Sequence, residues 1–229
     1  PTGFGKSTLA AQWARLLAAE GVPVAWLTVD HDDNNAVWFL SDLIEAIRTV
    51  TPALATELGS VLQEHGDEAE RYVLASLINE IHQSGTLMTL VIDDWHVVTG
   101  KETIGALRYL LDNICAGLTV VVTGRNQVGL PMSRMRMQDE LVEIDATALR
   151  FDTTEAENFL VDLSGLDLDR TDVEELTAKT DGWVAALQLA SLSLRGAEDP
   201  ARLIGTMTGH HYAISEFLVV SHERDRREC

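Results

Sequence analysis

A glycine-rich stretch near the start of the chain combines residue types that suit phosphate binding. It consists of Thr2, Gly3, Phe4, Gly5, Lys6, Ser7 and Thr8, and it leads into a helical pattern. Glycine lets a backbone approach a bound group closely because it carries no Cβ. Backbone N–H groups of such a loop, with the positive end of the following helix, favour phosphate oxygens. The stretch therefore predicts a phosphate-binding loop.

Within this loop, Lys6 and Ser7 have separate predicted roles. Lys6 is expected to reach the β- and γ-phosphates of a nucleotide, and the Ser7 hydroxyl is expected to hold Mg²⁺. The structural alternative is a glycine-rich turn in front of an amphipathic helix. The run GFGKSTL at the opening of a helix favours phosphate binding over that alternative.

Two acidic residues follow an apolar run in the middle of the chain. Asp93 and Asp94 come directly after residues 90–92, which read Leu-Val-Ile. A carboxylate at the tip of a buried strand, beside a phosphate loop, orients Mg²⁺ and its waters. Asp93 is predicted to take that role, and Asp94 is predicted to polarise an attacking water. A buried strand followed by an acidic turn is the alternative.

A third apolar run ends in a polar residue and an arginine. Residues 120–122 are all valine, and Thr123, Gly124 and Arg125 follow. In a parallel sheet this strand would end at the same edge as the acidic pair. Arg125 is therefore predicted to sense or stabilise the γ-phosphate. A surface arginine in a loop is the alternative.

Helical and strand patterns alternate over the first 150 residues, which predicts a parallel sheet covered on both faces. The predicted strands are residues 24–29, 87–92, 118–122 and 141–144. The predicted helices are residues 8–20, 36–50, 69–82, 101–114, 154–163, 171–179, 182–194 and 213–220. Because strands stop near residue 150, we predict an α/β domain over 1–149 and a helical domain over 150–229.

The acidic group at residues 30–33 looks like a metal cluster. We interpret it instead as a solvated cap for the helix that begins near Ala36.

Composition restricts the partners of this chain. Its 229 residues carry a net charge of −19, which repels phosphate backbones and disfavours nucleic-acid binding through this chain. No apolar run approaches the roughly 20 residues of a membrane span, so no membrane partner is expected. Cys115 and Cys229 lack the spacing of a metal or redox pair, which favours a reducing, cytoplasmic location.

The order of these motifs resembles the additional-strand class of P-loop ATPases, because an extra strand–helix unit lies between the loop and the acids. More closely, the chain resembles the ATPase core of the STAND group found in large ATP-binding LuxR-type (MalT-like) transcriptional regulators. The phrases that carry the resemblance are PTGFGKSTLAAQWA, VAWLTVDHDDN, TLVIDDWHVV, VVVTGRNQVGLPMSRMR, LRFDTTEAENFL and TDGWVAALQLASLSLRG.

The resemblance implies a switch that binds ADP at rest and ATP with Mg²⁺ when active, with slow hydrolysis. It implies homo-oligomers in the ATP state and DNA binding through a C-terminal domain outside this chain. Gly182 and Trp183 match the start of the helix that closes over the nucleotide in STAND proteins, with Val184 where that motif has proline. It also implies that both ends are truncated and that the central first strand of the sheet is missing.

Two alternatives stay open at this point. One is a nucleotide-binding interaction module of another STAND-type protein that does not hydrolyse, since STAND-like cores often turn over slowly and Asp94 is a weaker base than glutamate would be. The other is a P-loop kinase acting on a small molecule, for which residues 134–136 are the only candidate arginine-rich lid.

Overall fold

A computed structural model of the chain describes residues 2–197 and 199–207. These residues form two compact units. The first, here called the sheet unit, is Lys6–Glu143. The second, here called the helical unit, contains residues 2–5 together with the described residues from 144 onward.

The sheet unit is built on three parallel strands in the order β1-β2-β3. The strands are β1 (Val24–Thr28), β2 (Met88–Asp93) and β3 (Leu118–Val122). The helices are α1 (Lys6–Ala19), α2 (Ala36–Val50), α3 (Leu58–His65), α4 (Glu70–Ser84), α5 (Lys101–Asp112) and α6 (Met132–Met137). This confirms the predicted α/β class with a parallel sheet, and it is compatible with a P-loop NTPase fold.

The strand register brings the predicted site residues to one edge of the sheet. Thr28 lies beside Asp93, and Ile92 lies beside Val122. The carboxyl ends of all three strands therefore meet at this edge, as parallel strands require. Asp94 and Thr123 follow directly from two of those strand ends.

The central strand β2 anchors the core of the sheet unit. All six of its residues are buried, which matches the continuous apolar run in the sequence. Phe39 and Leu43 of α2 and Leu77 of α4 are also fully buried in the same core. The core therefore fixes the strand whose tip carries the acidic pair.

The predicted strand at 141–144 is wrong. The structure has no strand there, and Val142 and Ile144 are 88% and 52% exposed. The physical reason is local: Glu143 accepts a hydrogen bond of 2.7 Å from Arg136 Nη2, and no ladder to β3 forms. Sequence reasoning also missed α3 and α6.

The cap of α2 differs from the prediction as well. Asn35 is the N-cap, and its side chain accepts hydrogen bonds from the N–H groups of Val37 and Trp38. Asp33 is buried instead, and it accepts a bond of 2.8 Å from the Asp30 N–H. Burial raises the pKa of Asp33 above its usual range, and nearby carboxylates raise it further.

Three apolar residues at helical spacing form a stripe on α1 that remains largely exposed among the described residues. Leu9, Trp13 and Leu16 of α1 are 39%, 43% and 65% exposed. Ala10 is the buried residue of this helix among those described. Helical periodicity therefore predicts the helix correctly without predicting what it packs against.

The helical unit contains α7 (Thr153–Glu157), a π-helical turn (Asn158–Leu163), α8 (Arg170–Thr180), α9 (Val184–Leu194) and α10 (Pro200–Thr206). Capping boxes at Asp152 and Asp169 begin α7 and α8. The helices predicted at 154–163, 171–179 and 182–194 are thus confirmed with small shifts. The predicted helix at 213–220 lies outside the described residues. None of the described helices is long and apolar enough to span a membrane.

Asn34 ties two loops of the sheet unit together. Its Oδ1 accepts hydrogen bonds from the N–H groups of Thr99 and Gly100, at 2.6 Å and 2.7 Å. Gly100 comes so close that a Cβ there would lie 2.3 Å from the Asn34 carbonyl oxygen. The loop before α5 is therefore fixed to the loop after β1.

This contact gives a first prediction. Gly100→Ala should lower the free energy of unfolding by about 1–3 kcal/mol, because the new methyl group overlaps backbone that cannot move aside easily. Gly105→Ala is the control, since its Cβ would meet nothing within 4 Å inside α5. That change should raise stability by about 0.5–1 kcal/mol. Chemical denaturation of both variants measures the difference; equal stabilities would contradict the contact.

Candidate functional site

One buried carboxylate oxygen joins three elements of the sheet unit. Asp93, at the end of β2, is only 5% exposed. Its Oδ1 accepts a hydrogen bond of 2.8 Å from the Ser7 hydroxyl in the first turn of α1. The same oxygen accepts a hydrogen bond from the Thr123 hydroxyl, which follows β3. The structure thus brings the predicted Mg²⁺ ligands Ser7 and Asp93 together.

Asp94 lies just beyond this carboxylate in an unusual backbone conformation. Its φ of 61° is left-handed, a region that Asp and Asn tolerate better than most residues. The Asp94 N–H donates to Thr123 Oγ1 at 3.2 Å. Its side chain is 47% exposed, and His96 Nδ1 lies 3.6 Å from Asp94 Oδ1. Asp94 is therefore fixed at the backbone while its carboxylate remains open to solvent.

Lys6 is half-buried at the start of α1. Burial lowers the pKa of its ammonium group, and the positive charge of Arg125 lowers it further. The carboxylates of Asp94 and Asp93 act in the opposite direction. Lys6 is therefore within electrostatic reach of all three residues, so the structure gathers the predicted lysine, acids and arginine in the sheet unit. Arg125 itself is exposed.

The glycines of the loop adopt the conformation that their predicted role needs. Gly3 and Gly5 have φ values of 76° and 75°, which favour glycine. A Cβ on Gly5 would meet nothing within 4 Å, so open space lies beside it. Successive backbone N–H groups in such turns form concave anion sites. Thr8, the last predicted residue of the loop, is exposed in the first turn of α1.

The first part of the loop belongs to the helical unit and contacts the start of α9. The Trp183 indole N–H donates to the Thr2 carbonyl at 3.0 Å. The Ala185 N–H donates to the Gly3 carbonyl at 3.0 Å. The rings of Phe4 and Trp183 lie with their centroids 6.2 Å apart. The start of α9 thus contacts Thr2, Gly3 and Phe4. In the resemblance, this is the start of the helix that closes over the nucleotide.

The oxygen atoms around Asp93 fit a hard divalent cation. Mg²⁺ is usually bound through one or two protein oxygens, with waters and substrate phosphates completing its shell. Ser7 and Asp93 offer one hydroxyl and one carboxylate. No group of three or more His, Cys, Asp or Glu side chains among the described residues could hold a metal ion. The site therefore suits a cation that arrives with a phosphate ligand.

Thr123 is the residue that the site assignment missed. It both donates to Asp93 and accepts from the Asp94 N–H, so it orders the acidic pair. Its signal in the sequence is a threonine placed directly after a run of three valines. The sequence prediction gave a functional role to Arg125, two residues later, and none to Thr123.

The two arginines of the candidate kinase lid are engaged elsewhere. Arg134 Nη2 donates to the Leu111 carbonyl at 3.0 Å, and Arg134 Nε lies 3.0 Å from Asp112 Oδ1. Arg136 pairs with Glu143. These contacts hold α6 and the following loop to the rest of the sheet unit, and they disfavour the small-molecule kinase alternative.

Fold and site together define an α/β protein with a three-stranded parallel sheet and a phosphate-loop sequence, compatible with the P-loop NTPase class. Over 218 residues the chain is 57% identical to the serine/threonine-protein kinase PknK of Mycobacterium tuberculosis, covering 95% of this chain and 20% of that protein. Over 223 residues it is 30% identical to the HTH-type transcriptional regulator MalT of Yersinia enterocolitica, covering 96% of this chain and 24% of that protein. No protein-family profile matches.

These relatives confirm the predicted resemblance. The chain is homologous to one segment of large regulators of the MalT type. It spans about a fifth to a quarter of the length of these relatives.

The position of Thr123 gives a second prediction. Thr123→Val keeps the side-chain shape but removes the hydroxyl, so Asp93 loses a donor and the Asp94 N–H loses its acceptor. The free energy of unfolding should fall by about 1–3 kcal/mol. Thr119→Val, at an exposed position of β3, should change it by less than about 0.5 kcal/mol. Thr123→Ser keeps the hydroxyl and should restore most of the loss. A loss of equal size in both valine variants, measured by denaturation, would show that the hydroxyl is not the cause.

Proposed function

We propose that this chain is a nucleotide-dependent regulatory switch module that binds ATP and ADP with Mg²⁺ through a P-loop of the additional-strand class. The observation that carries the proposal is the hydrogen bond from Ser7 to Asp93. It joins the phosphate-loop sequence to the acidic strand tip, two features 86 residues apart in the chain. A glycine-rich turn that only precedes a helix would not require a hydrogen bond from Ser7 to Asp93.

Each residue of the site has a proposed task. Residues 2–5 supply backbone N–H groups to the phosphates, and Lys6 supplies a positive charge. Thr8, in the first turn of α1, adds its N–H at the positive end of that helix. Ser7 and Asp93 would hold Mg²⁺, which supplies charge neutralisation at the phosphates when bound. The low-dielectric surroundings that lower the pKa of Lys6 also strengthen its attraction to an anionic ligand.

The names of the two relatives favour a regulatory module. They disfavour a chemical activity that only one of the two proteins performs. One relative is named a protein kinase and the other a transcriptional regulator, yet the chain matches both over nearly its whole length. A segment common to both is best explained by a function that both can use. The net charge of −19 also makes this segment a poor surface for DNA.

Hydrolysis is proposed to be slow and to depend on Asp94 and Arg125. Asp94 would polarise the attacking water, and Arg125 would stabilise charge on the γ-phosphate. The second candidate is a module that binds nucleotide without hydrolysis. It is favoured by the short Asp94 side chain, which is 47% exposed to solvent.

The proposal extends to the whole protein through the MalT-type relatives. Nucleotide state would control self-association of a cytoplasmic regulator. DNA would be bound by a domain outside this chain.

Lys6→Ala should weaken ATP binding by about 2–3 kcal/mol, because a charge-assisted contact to phosphate is lost. Calorimetric titration of the intact protein with Mg²⁺ and ATP measures the change. Lys101→Ala is the matched control, since Lys101 also opens a helix and is exposed. ATP affinity should be unaffected in that control. Equal affinity in both variants would contradict the phosphate-loop assignment.

Asp94→Asn should leave ATP affinity nearly unchanged and lower phosphate release. Asparagine tolerates the left-handed backbone at this position, so the loop should keep its shape. Phosphate release under saturating ATP is the measurement. If both forms release phosphate at the same rate, Asp94 is not the polarising acid. If neither form releases any while both bind ATP, the non-hydrolysing module is correct.

A further inference from the structure

We infer that Trp183 and the first turn of α9 position the phosphate loop by binding its backbone carbonyl groups. This inference rests on the proposed function, and it assigns to Trp183 a positioning role toward the loop, not toward a nucleotide base. It uses contacts within the helical unit alone.

The peptide groups of the loop have a fixed geometry. Each peptide is planar and trans, so its C=O and N–H point in opposite directions. The Thr2 carbonyl and the Gly3 N–H belong to one peptide, and the Gly3 carbonyl and the Phe4 N–H belong to the next. Trp183 binds the first carbonyl and Ala185 binds the second, both at 3.0 Å. The N–H groups of Gly3 and Phe4 therefore point away from α9.

The loop and α9 approach each other closely at Gly3. A Cβ on Gly3 would lie 2.6 Å from the Ala185 Cβ and 2.9 Å from Trp183 Nε1. No larger residue fits this contact without displacing the loop. Gly3 is thus required for packing against α9 as well as for its positive φ.

Contacts between Gly182 and Phe151 hold Trp183 in place. Gly182 has a φ of 65°, and its carbonyl accepts a hydrogen bond of 2.9 Å from the Phe151 N–H. A Cβ on Gly182 would lie 2.3 Å from the Phe151 carbonyl oxygen. The contacts with Phe151 therefore fix the backbone before Trp183. The Phe4 ring packs beside the Trp183 indole. The two loop carbonyls accept hydrogen bonds from the Trp183 indole and from the Ala185 N–H, and the latter is one of the backbone donors at the start of α9 that has no partner within the helix.

The test separates a phosphate effect from a base effect. Trp183→Phe keeps a ring beside Phe4 but removes the N–H that Thr2 accepts. Binding of inorganic tripolyphosphate and of ATP, each with Mg²⁺, is measured by calorimetry on the intact protein. We expect both affinities to fall by a similar factor of about five, the loss typical of one hydrogen bond. Trp38→Phe, a change at an exposed tryptophan of α2, should alter neither affinity.

Three outcomes would overturn the inference. If ATP binding weakens while tripolyphosphate binding does not, Trp183 acts on the base. If neither affinity changes, the contact only stabilises the helical unit. If the unchanged protein binds neither ligand, the proposed function fails first, and the inference fails with it.

A second pair of variants covers the case in which Trp183→Phe does not fold. Ala185→Pro replaces the donor to Gly3 with a ring carbon that the carbonyl cannot approach, within a helical turn where proline is tolerated. Val184→Pro places proline one residue earlier and leaves the Ala185 N–H able to donate. We expect weaker tripolyphosphate binding in Ala185→Pro alone. Equal binding in the two proline variants would contradict a role for the Gly3 carbonyl.

Discussion

The arrangement of the site depends on a carboxylate oxygen that would be costly to bury alone. Asp93 lies at the end of a fully buried strand and is almost inaccessible to water. A buried charge of this kind is tolerated when hydrogen bonds compensate it. Ser7 and Thr123 provide those bonds from α1 and from the end of β3. The start of α1, which carries Ser7, is thus held at the sheet edge by the need to satisfy Asp93.

Much of the sheet unit was predictable because its signals are strong and local. The apolar run of β2 identifies a strand that is buried throughout, and the valine run of β3 identifies a strand whose valines are half-buried. Parallel topology places the tips of both strands at one edge. The strand predicted at 141–144 was wrong because four residues, three of them apolar, do not specify a neighbouring strand. The stripe on α1 identified a helix, but no sequence pattern states which surface covers Leu9, Trp13 and Leu16.

The residue types of the site could be predicted from the sequence, whereas several of the contacts between them could not. Lys6, Ser7, Asp93 and Asp94 were assigned from spacing, and the structure gathers them. Thr123 was overlooked because a threonine after a strand is common, and its role depends on two hydrogen bonds that span 29 and 30 residues. Gly3 was assigned to phosphate approach alone. Its tight packing on Ala185 could not be predicted, since the two residues are far apart in sequence.

The left-handed backbone at Asp94 also limits which acid can occupy that position. Residues with longer side chains lose about 1–2 kcal/mol in this conformation, whereas Asp, Asn and Gly adopt it at lower cost. A glutamate would extend the carboxylate by one methylene group but would strain the turn between β2 and the following 3₁₀ helix, Trp95–Val97. The fold therefore favours the shorter acid here, whatever reach the chemistry would prefer. A glutamate placed here to lengthen the reach of the carboxylate would therefore carry that conformational cost in every folded molecule.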